Sequence, residues 1–307
     1  MSRRLIAGVL SLCLLALSHA ANAETLLQAK FKKGETQKQK MIQKQTMSMV
    51  LPGQPKIDTT QIQTMSMSME VICDDVADSG IATLRHRLPR MQMSMQLPGA
   101  ANKKLEYDTD EPVPTDPILQ QIDKRLRPMI GVDFSMKCNA QGKISDFVIP
   151  PKALDGIKGS PAAALGGDMF SESGMKQMSE QGGFVLPEKA VKLGDKWTSK
   201  NEIKSPIGVM KMDREHTYLG PDSKTGLEKI GIAVKVTLQP DPNSKLPAKV
   251  ELKSGSGEGE VLFDNKLGRV ARSQIKMTMD MEITAGTQTI QQNIISDGSI
   301  EDVTSEK

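Results

Sequence analysis

Apolar and polar residues alternate with a period of two along much of this chain, and methionine marks many of the apolar positions. Thr46-Met47-Ser48-Met49-Val50, Met65-Ser66-Met67-Ser68-Met69, Met91-Gln92-Met93-Ser94-Met95 and Met277-Thr278-Met279-Asp280-Met281 all follow this rule, with Met210-Lys211-Met212 as a shorter copy. A helix would scatter residues i and i+2 to different faces, whereas a strand puts them on one. The intervening Ser, Thr, Gln, Lys and Asp suit a wet face. The pattern predicts half-buried antiparallel strands with methionine on the covered side.

Turn residues divide the runs. Residues 37–51 and 59–73 flank Pro52-Gly53-Gln54-Pro55 and read as a hairpin. A strand over 81–96 changes its inward parity at Pro89, which suggests a bulge or an edge break. Residues 132–139 and 143–149 flank Ala140-Gln141-Gly142 as a second hairpin. The polar stretch Pro98 to Pro114 reads as a loop, and Gly255-Ser256-Gly257-Glu258-Gly259 as a flexible turn between strands. Helical signals are scarce. Residues 116–129 offer Asp116 as N-cap, Pro117 in the first turn, and Ile118, Ile122 and Leu126 on one face; residues 171–181 are a second candidate.

In the second half, strands are expected over 207–218, 230–238, 261–264, 269–283 and 287–295. Leu193-Gly194-Asp195-Lys196-Trp197 opens that half as Phe31-Lys32-Lys33-Gly34-Glu35 opens the first. A degenerate two-fold repeat over about residues 25–150 and 185–300 is one reading; coincidence between two similar sets of hairpins is the other.

The N-terminus carries an address. Arg3 and Arg4 precede an apolar stretch, Leu5 to Leu17, and Ala21-Asn22-Ala23 is a small-x-small cleavage site. This is a secretory signal peptide, with cleavage expected after Ala23. Export to the periplasm or cell envelope of a bacterium follows, with no transmembrane segment after cleavage. The organisation expected is a signal peptide (1–23), an N-terminal β half (24–150), a linker with a short helix (151–184), a C-terminal β half (185–300) and a tail (301–307).

Composition and charge narrow the chemistry. The formal charge of +3 falls to +1 when Arg3 and Arg4 leave, too little for an electrostatically driven nucleic-acid binder. Twenty Met stand against nine aromatics, and thirteen of those Met lie in the alternating runs. After cleavage His86 and His216 remain, neither in a catalytic context, and no G-x-S-x-G or H-E-x-x-H occurs. The expectation is a non-enzymatic protein without a cofactor. Cys73 and Cys138 share parity with buried-side neighbours. In an oxidising compartment, a disulfide closing a loop of about 65 residues, worth roughly 4 kcal/mol, is favoured over two buried thiols.

Leu186-Pro-Glu-Lys-Ala-Val-Lys-Leu-Gly-Asp-Lys-Trp197, the segment Asp264 to Met281 (DNKLGRVARSQIKMTMDM) and the early Phe31 to Glu35 carry a resemblance. The chain resembles an uncharacterised family of exported bacterial β-rich proteins and lipoproteins, a domain of unknown function. The resemblance implies a curved antiparallel sheet with one or two helices and an envelope location. Many such relatives are lipidated, but Leu12 before Cys13 breaks the lipidation signal. The fold expected is therefore mainly β: long antiparallel strands in a curved sheet or half-barrel.

What the methionine face touches stays open between several readings. Pure core packing is one, because Met fills irregular gaps. A face that binds a lipid or another hydrophobic small molecule, or an unknown envelope partner, is the favoured functional reading, with Met47, Met49, Met65, Met67, Met69, Met91, Met93, Met95, Met277, Met279 and Met281 as its candidates. Soft-metal binding is the alternative: Met-x-Met places two thioethers ~7 Å apart on a strand. Thioethers select Cu(I), and Met210, Met212 and His216 share parity. A purely structural role is the third.

Overall fold

Long alternating segments become strands because each can bury one face only by pairing with neighbours of the same period. The computed structural model describes residues 24–50, 59–97, 104–151, 153, 176, 179, 183–205, 207–241 and 248–305. The expected signal peptide, the Pro52–Pro55 turn and most of the expected 171–181 helix lie outside the described residues. The first half contains β1 (Thr36–Val50), β2 (Gln61–Val76), β3 (Ala82–Gln96), β4 (Lys104–Asp108), β5 (Asp133–Cys138) and β6 (Ile144–Val148). Between β4 and β5 lies α1 (Pro117–Leu126), followed by a 3₁₀ turn at Arg127–Met129. The second half contains β7 (Lys196–Ser205), β8 (Gly208–Pro221), β9 (Glu228–Pro240), β10 (Ala248–Asp264), β11 (Arg269–Ala285) and β12 (Gln288–Asp302).

All twelve strands form one antiparallel sheet in the order β6-β5-β3-β2-β1-β12-β11-β10-β9-β8-β7, with β4 also on β3. The mainly-β, curved-sheet expectation holds. The joint between halves is the pairing of β1 with β12, in register from Gln39 opposite Asp302 to Val50 opposite Gln291. The long strand β3 serves two partners: its first part pairs with β5 and its second with β4. The changeover falls at a bulge opposite Ser68–Glu70, which contains Pro89. A residue without an N–H is tolerated where ladder pairing is interrupted.

Two local expectations are corrected. Lys104–Asp108 is a strand rather than loop, because alternating Leu105 and Tyr107 find cover under α1. Gly255 to Gly259 is mid-strand in β10 rather than a turn. Its inward glycines leave room that neighbours occupy: an added Cβ at Gly255 would press on Val236, at Gly257 on Met277 and at Gly259 on Ile275. The helix α1 forms where expected. Asp116 caps it by accepting from the Ile118 and Leu119 amides at 2.9 and 3.4 Å. Its packed face is Leu119, Ile122 and Leu126, while Ile118 is 46% exposed.

The outer strands β6 and β7 do not pair, but one end of the curved sheet is strapped shut. Residues 24–31 and 184–194 cross that end. Ala29 donates to Ala140 O and Leu186 to Gln141 O at the β5–β6 turn. Thr25 bridges Val191, and Lys30 donates to Gly268 O at the β10–β11 turn. Trp197 Nε1 donates to Val185 O on the far side. Gly268 sits at φ +68° and a Cβ there would overlap Lys30, so only glycine suits this crossing. Beneath the strap, Leu27 and Leu186 pack with Tyr218, Ile230, Ile232, Val261 and Phe263, the largest core among the described residues.

Candidate functional site

Directly opposed residues in antiparallel strands share a face, so the register can be followed across the sheet. One row runs Ser199, Arg214, Val234 and Gly257 across β7 to β10. It continues through Met277, Ser296 and Gln45 on β11, β12 and β1. It ends at Gln63, Met95 and Leu105 on β2, β3 and β4. The neighbouring rows carry Met65 opposite Met93 and Met67 opposite Met91. They also set Met279 opposite Ile294, Ile294 opposite Met47, and Gln292 opposite both Met281 and Met49. Every candidate methionine therefore lies on one face of one sheet, and Met41, Met136, Met210 and Met212 join them.

This face is the inner one, and its cover is uneven. At β3 and β4, α1 lies on Met93, Met95, Leu105 and Tyr107, and Tyr107 donates to Asp123 Oδ1 at 3.1 Å. Burial, with Asp123 beside it, pushes the Tyr107 phenol up to about 12. Over the ends of β8 to β10 that carry Tyr218, Ile230 and Phe263 the strap covers the sheet. Between these covers, Met41, Met47, Met49, Met65, Met67 and Met69 on β1 and β2 are only half-buried, as are Met277, Met279 and Met281 on β11. Polar side chains share this central stretch. Gln43 Nε2 donates to Ser296 Oγ at 3.4 Å, and Gln63 Nε2 approaches Met93 Sδ at 3.2 Å. The site is thus a methionine-rich trough on the inner face, with glutamine and serine interspersed among the thioethers.

A separate cavity of about 490 Å³ opens on the opposite face. Thr64, Ser66, Gln92, Ser94, Glu106, Asp108 and Glu111 line it, with Pro112 and Pro114. Of the candidate methionines, only Met93 touches it. Beside it Arg90 holds Asp108 in a charge-assisted hydrogen bond, and this lowers the Asp108 carboxyl well below its usual range.

The expected disulfide is corrected. Cys73 and Cys138 are both buried and both free. Cys73 lies opposite Leu84 and Cys138 opposite Ala82, so β3 separates them. Two strand spacings put their backbones ~10 Å apart, beyond the ~7 Å limit for a bridge. Parity fixed the face of each cysteine correctly, but the strand order keeps them apart. Burial pushes the Cys138 thiol up to about 11 and raises that of Cys73, so both behave as small packed hydrophobes.

Met210, Met212 and His216 share the inner face of β8, yet they do not converge on one point. Met212 and His216 lie ~13 Å apart along the strand. Arg214 stands between them on the same face, and its charge opposes a second cation. His216, 1% exposed, is held by other groups. Its Nε2 is 3.0 Å from Ser199 Oγ, Trp197 stacks on it at 5.2 Å and Phe184 meets it edge-on at 5.5 Å. Burial, and then Arg214, push its pKa down to about 4, so the imidazole is neutral at pH 7. Among the described residues, no group of three or more His, Cys, Asp or Glu could hold a metal ion. Arg214, Ser199 and Asn201 are inner-face polar residues of β7 and β8 that the methionine pattern does not single out. Their signal is parity alone: Arg214 falls between Met212 and His216 in an alternating strand.

Residues 162–294 match the model of a family of unknown function (DUF6263). That stretch contains both of the longer segments that carry the resemblance, and the expectation of an uncharacterised family is borne out there. No curated protein matches the chain by sequence. Among solved structures, one describing lipid–protein interactions in lipovitellin is 10% identical, with a TM-score of 0.48. The match covers 89% of this chain and 25% of that one, so this chain spans a quarter of lipovitellin's length. DynF from the dynemicin pathway of Micromonospora chersina is 8% identical with a TM-score of 0.23, over 92% and 86% of the two chains. The CymD monoaromatic hydrocarbon channel is 7% identical with a TM-score of 0.22, over 89% of each. With TM-scores below 0.5, none of these likenesses defines a shared fold. Among the described residues, no helix is long and apolar enough to cross a membrane.

Proposed function

We propose that this protein acts without catalysis, in the bacterial envelope after loss of residues 1–23, by binding a hydrophobic ligand of the lipid class in the trough. One observation carries the reading: methionines on β1, β2 and β11 form a thioether-rich face that lies between two covers and is itself only half-buried. Leaving apolar surface wet forgoes about 25 cal/mol per Å², so a face that no described residue lids, in a protein that covers its flanks, is suited to a removable cover. Unbranched, polarisable side chains adapt to chains of varied shape better than β-branched walls do.

The test is expression of the full chain in a bacterium, purification, and organic extraction followed by mass spectrometry. Co-purified lipid in the native protein, lost in a Met65→Gln/Met67→Gln/Met69→Gln variant that retains its strand content, is the expected result. Extracts free of lipid, together with failure to quench or enhance N-phenyl-1-naphthylamine fluorescence, would overturn the reading.

A further inference from the structure

Arg214 is out of keeping with its surroundings. It lies on the inner face of β8, half-buried, and its side chain makes no hydrogen bond or ion pair with any described residue. Arg85, Arg87, Arg90, Arg127 and Arg269 each hold a carboxylate, and Arg272 is exposed. The inner positions one step from Arg214 are Trp197, Ser199 and Asn201 on β7, Met212 and His216 on β8, and Ile232, Val234 and Val236 on β9, none of them acidic. Its sequence neighbours Asp213 and Glu215 point to the other face, where they meet Lys200 and Lys196. His216 beside it is neutral and brings no countercharge.

A guanidinium cannot shed its proton to escape this setting, and a desolvated cation without an anion is unfavourable. Burial lowers its proton affinity, which marks the same frustration. Its planar fork matches an oxyanion in two parallel hydrogen bonds. Two further polar groups stand on the adjoining strand at the same face: Ser199 directly opposite, and Asn201, 5% exposed, one step along. When His216 Nε2–H donates to Ser199 Oγ, the Ser199 hydroxyl is left free to donate elsewhere. Met210 and Met212 continue from this point, and Met277 and Met279 face it across β9 and β10.

We propose that Arg214, with Ser199 and Asn201, clamps the anionic oxyanion head of a single-chain amphiphile whose alkyl tail lies on the methionine trough. This rests on the ligand-binding reading above and adds the head-group chemistry to it. Free fatty acids and alkyl phosphates share that chemistry.

Trp197 is the single tryptophan of the chain and stacks on His216 beside Arg214, so its emission reports on the clamp. The protein is titrated with dodecanoate, dodecyl phosphate and dodecanol, with Trp197 fluorescence for the head and N-phenyl-1-naphthylamine displacement for the tail. At least a tenfold preference for one or both acids over the alcohol is expected, and the tighter acid identifies the head. Arg214→Gln should abolish that preference while dodecanol still displaces the dye, which also shows the trough to be folded. Arg214→Lys, which keeps charge without the fork, should fall between. Equal binding of acids and alcohol by the native protein, or full preference retained in Arg214→Gln, overturns the clamp and leaves the trough standing. Failure of all three to displace the dye overturns both.

Discussion

The inner face of this sheet is built in two ways. Under the strap, β9 and β10 present Ile230, Ile232, Val261 and Phe263, all buried in one cluster with Leu27 and Leu186. At the centre, β1, β2 and β11 present methionines interleaved with glutamines, half-buried and without a lid among the described residues. Stiff β-branched side chains stand where the partner is part of the chain and fixed. Flexible thioethers stand where no described residue forms a fixed cover. The contrast teaches that strand alternation alone does not say what a face does; the side-chain type at the alternating position separates a permanent contact from an adaptable one.

The largest test of that contrast is truncation on each side. Phe263→Ala should cost ~3–5 kcal/mol in urea unfolding, because a fully packed ring leaves a cavity. Met67→Ala, at a half-buried position, should cost well under half of that. Equal costs would break the comparison.

Next comes acid. Burial holds both His216 and His86 near pKa 4, against 6.5 for the ordinary imidazole. Above pH 6.5 both residues are neutral in folded and unfolded chains, and the stability is complete. As pH falls from 6.5 to 4, the unfolded chain takes up protons that the native state refuses. Stability should then drop by roughly 3 kcal/mol per histidine, the equivalent of that pKa difference. Denaturation midpoints across this window should flatten in a His216→Gln/His86→Gln variant; an unchanged slope would show that other groups carry it.

A smaller effect is expected at the cover itself. Asp116→Ala removes the cap of α1 and should cost about 1 kcal/mol. Its sharper readout is hydrogen exchange, where protection should fall in β4 and at Met93 and Met95 but not at β9. The smallest effect is Met67→Leu, which should change stability by less than about 1.5 kcal/mol yet alter dye and lipid binding in the trough. A large stability change there would make Met67 core rather than ligand wall.

Much of the fold is legible along the chain because strand alternation is local. The boundaries of β1, β2, β3, β5 and β8 fall within a few residues of the turn signals. The misses share a cause. Lys104–Asp108 is too short to show a period beside its prolines, and the glycines of β10 have no side chains to alternate. The Cys73–Cys138 pairing fails because parity assigns a face but is blind to the strand lying between. For the site, the methionines announce themselves by composition, whereas Arg214 becomes notable only when its neighbours on β7 and β9 prove to be neutral.

By itself the sequence determined the element type and which residues share a side of each strand, since both depend on a two-residue repeat. Only the tertiary structure decided that all these sides are one side. Pairing β1 with β12 brings together residues more than 240 positions apart, through backbone hydrogen bonds that any sequence can make. The strap and α1 then decided which part of that common face is closed and which is left open, because cover depends on what crosses a surface and not on the strand beneath it.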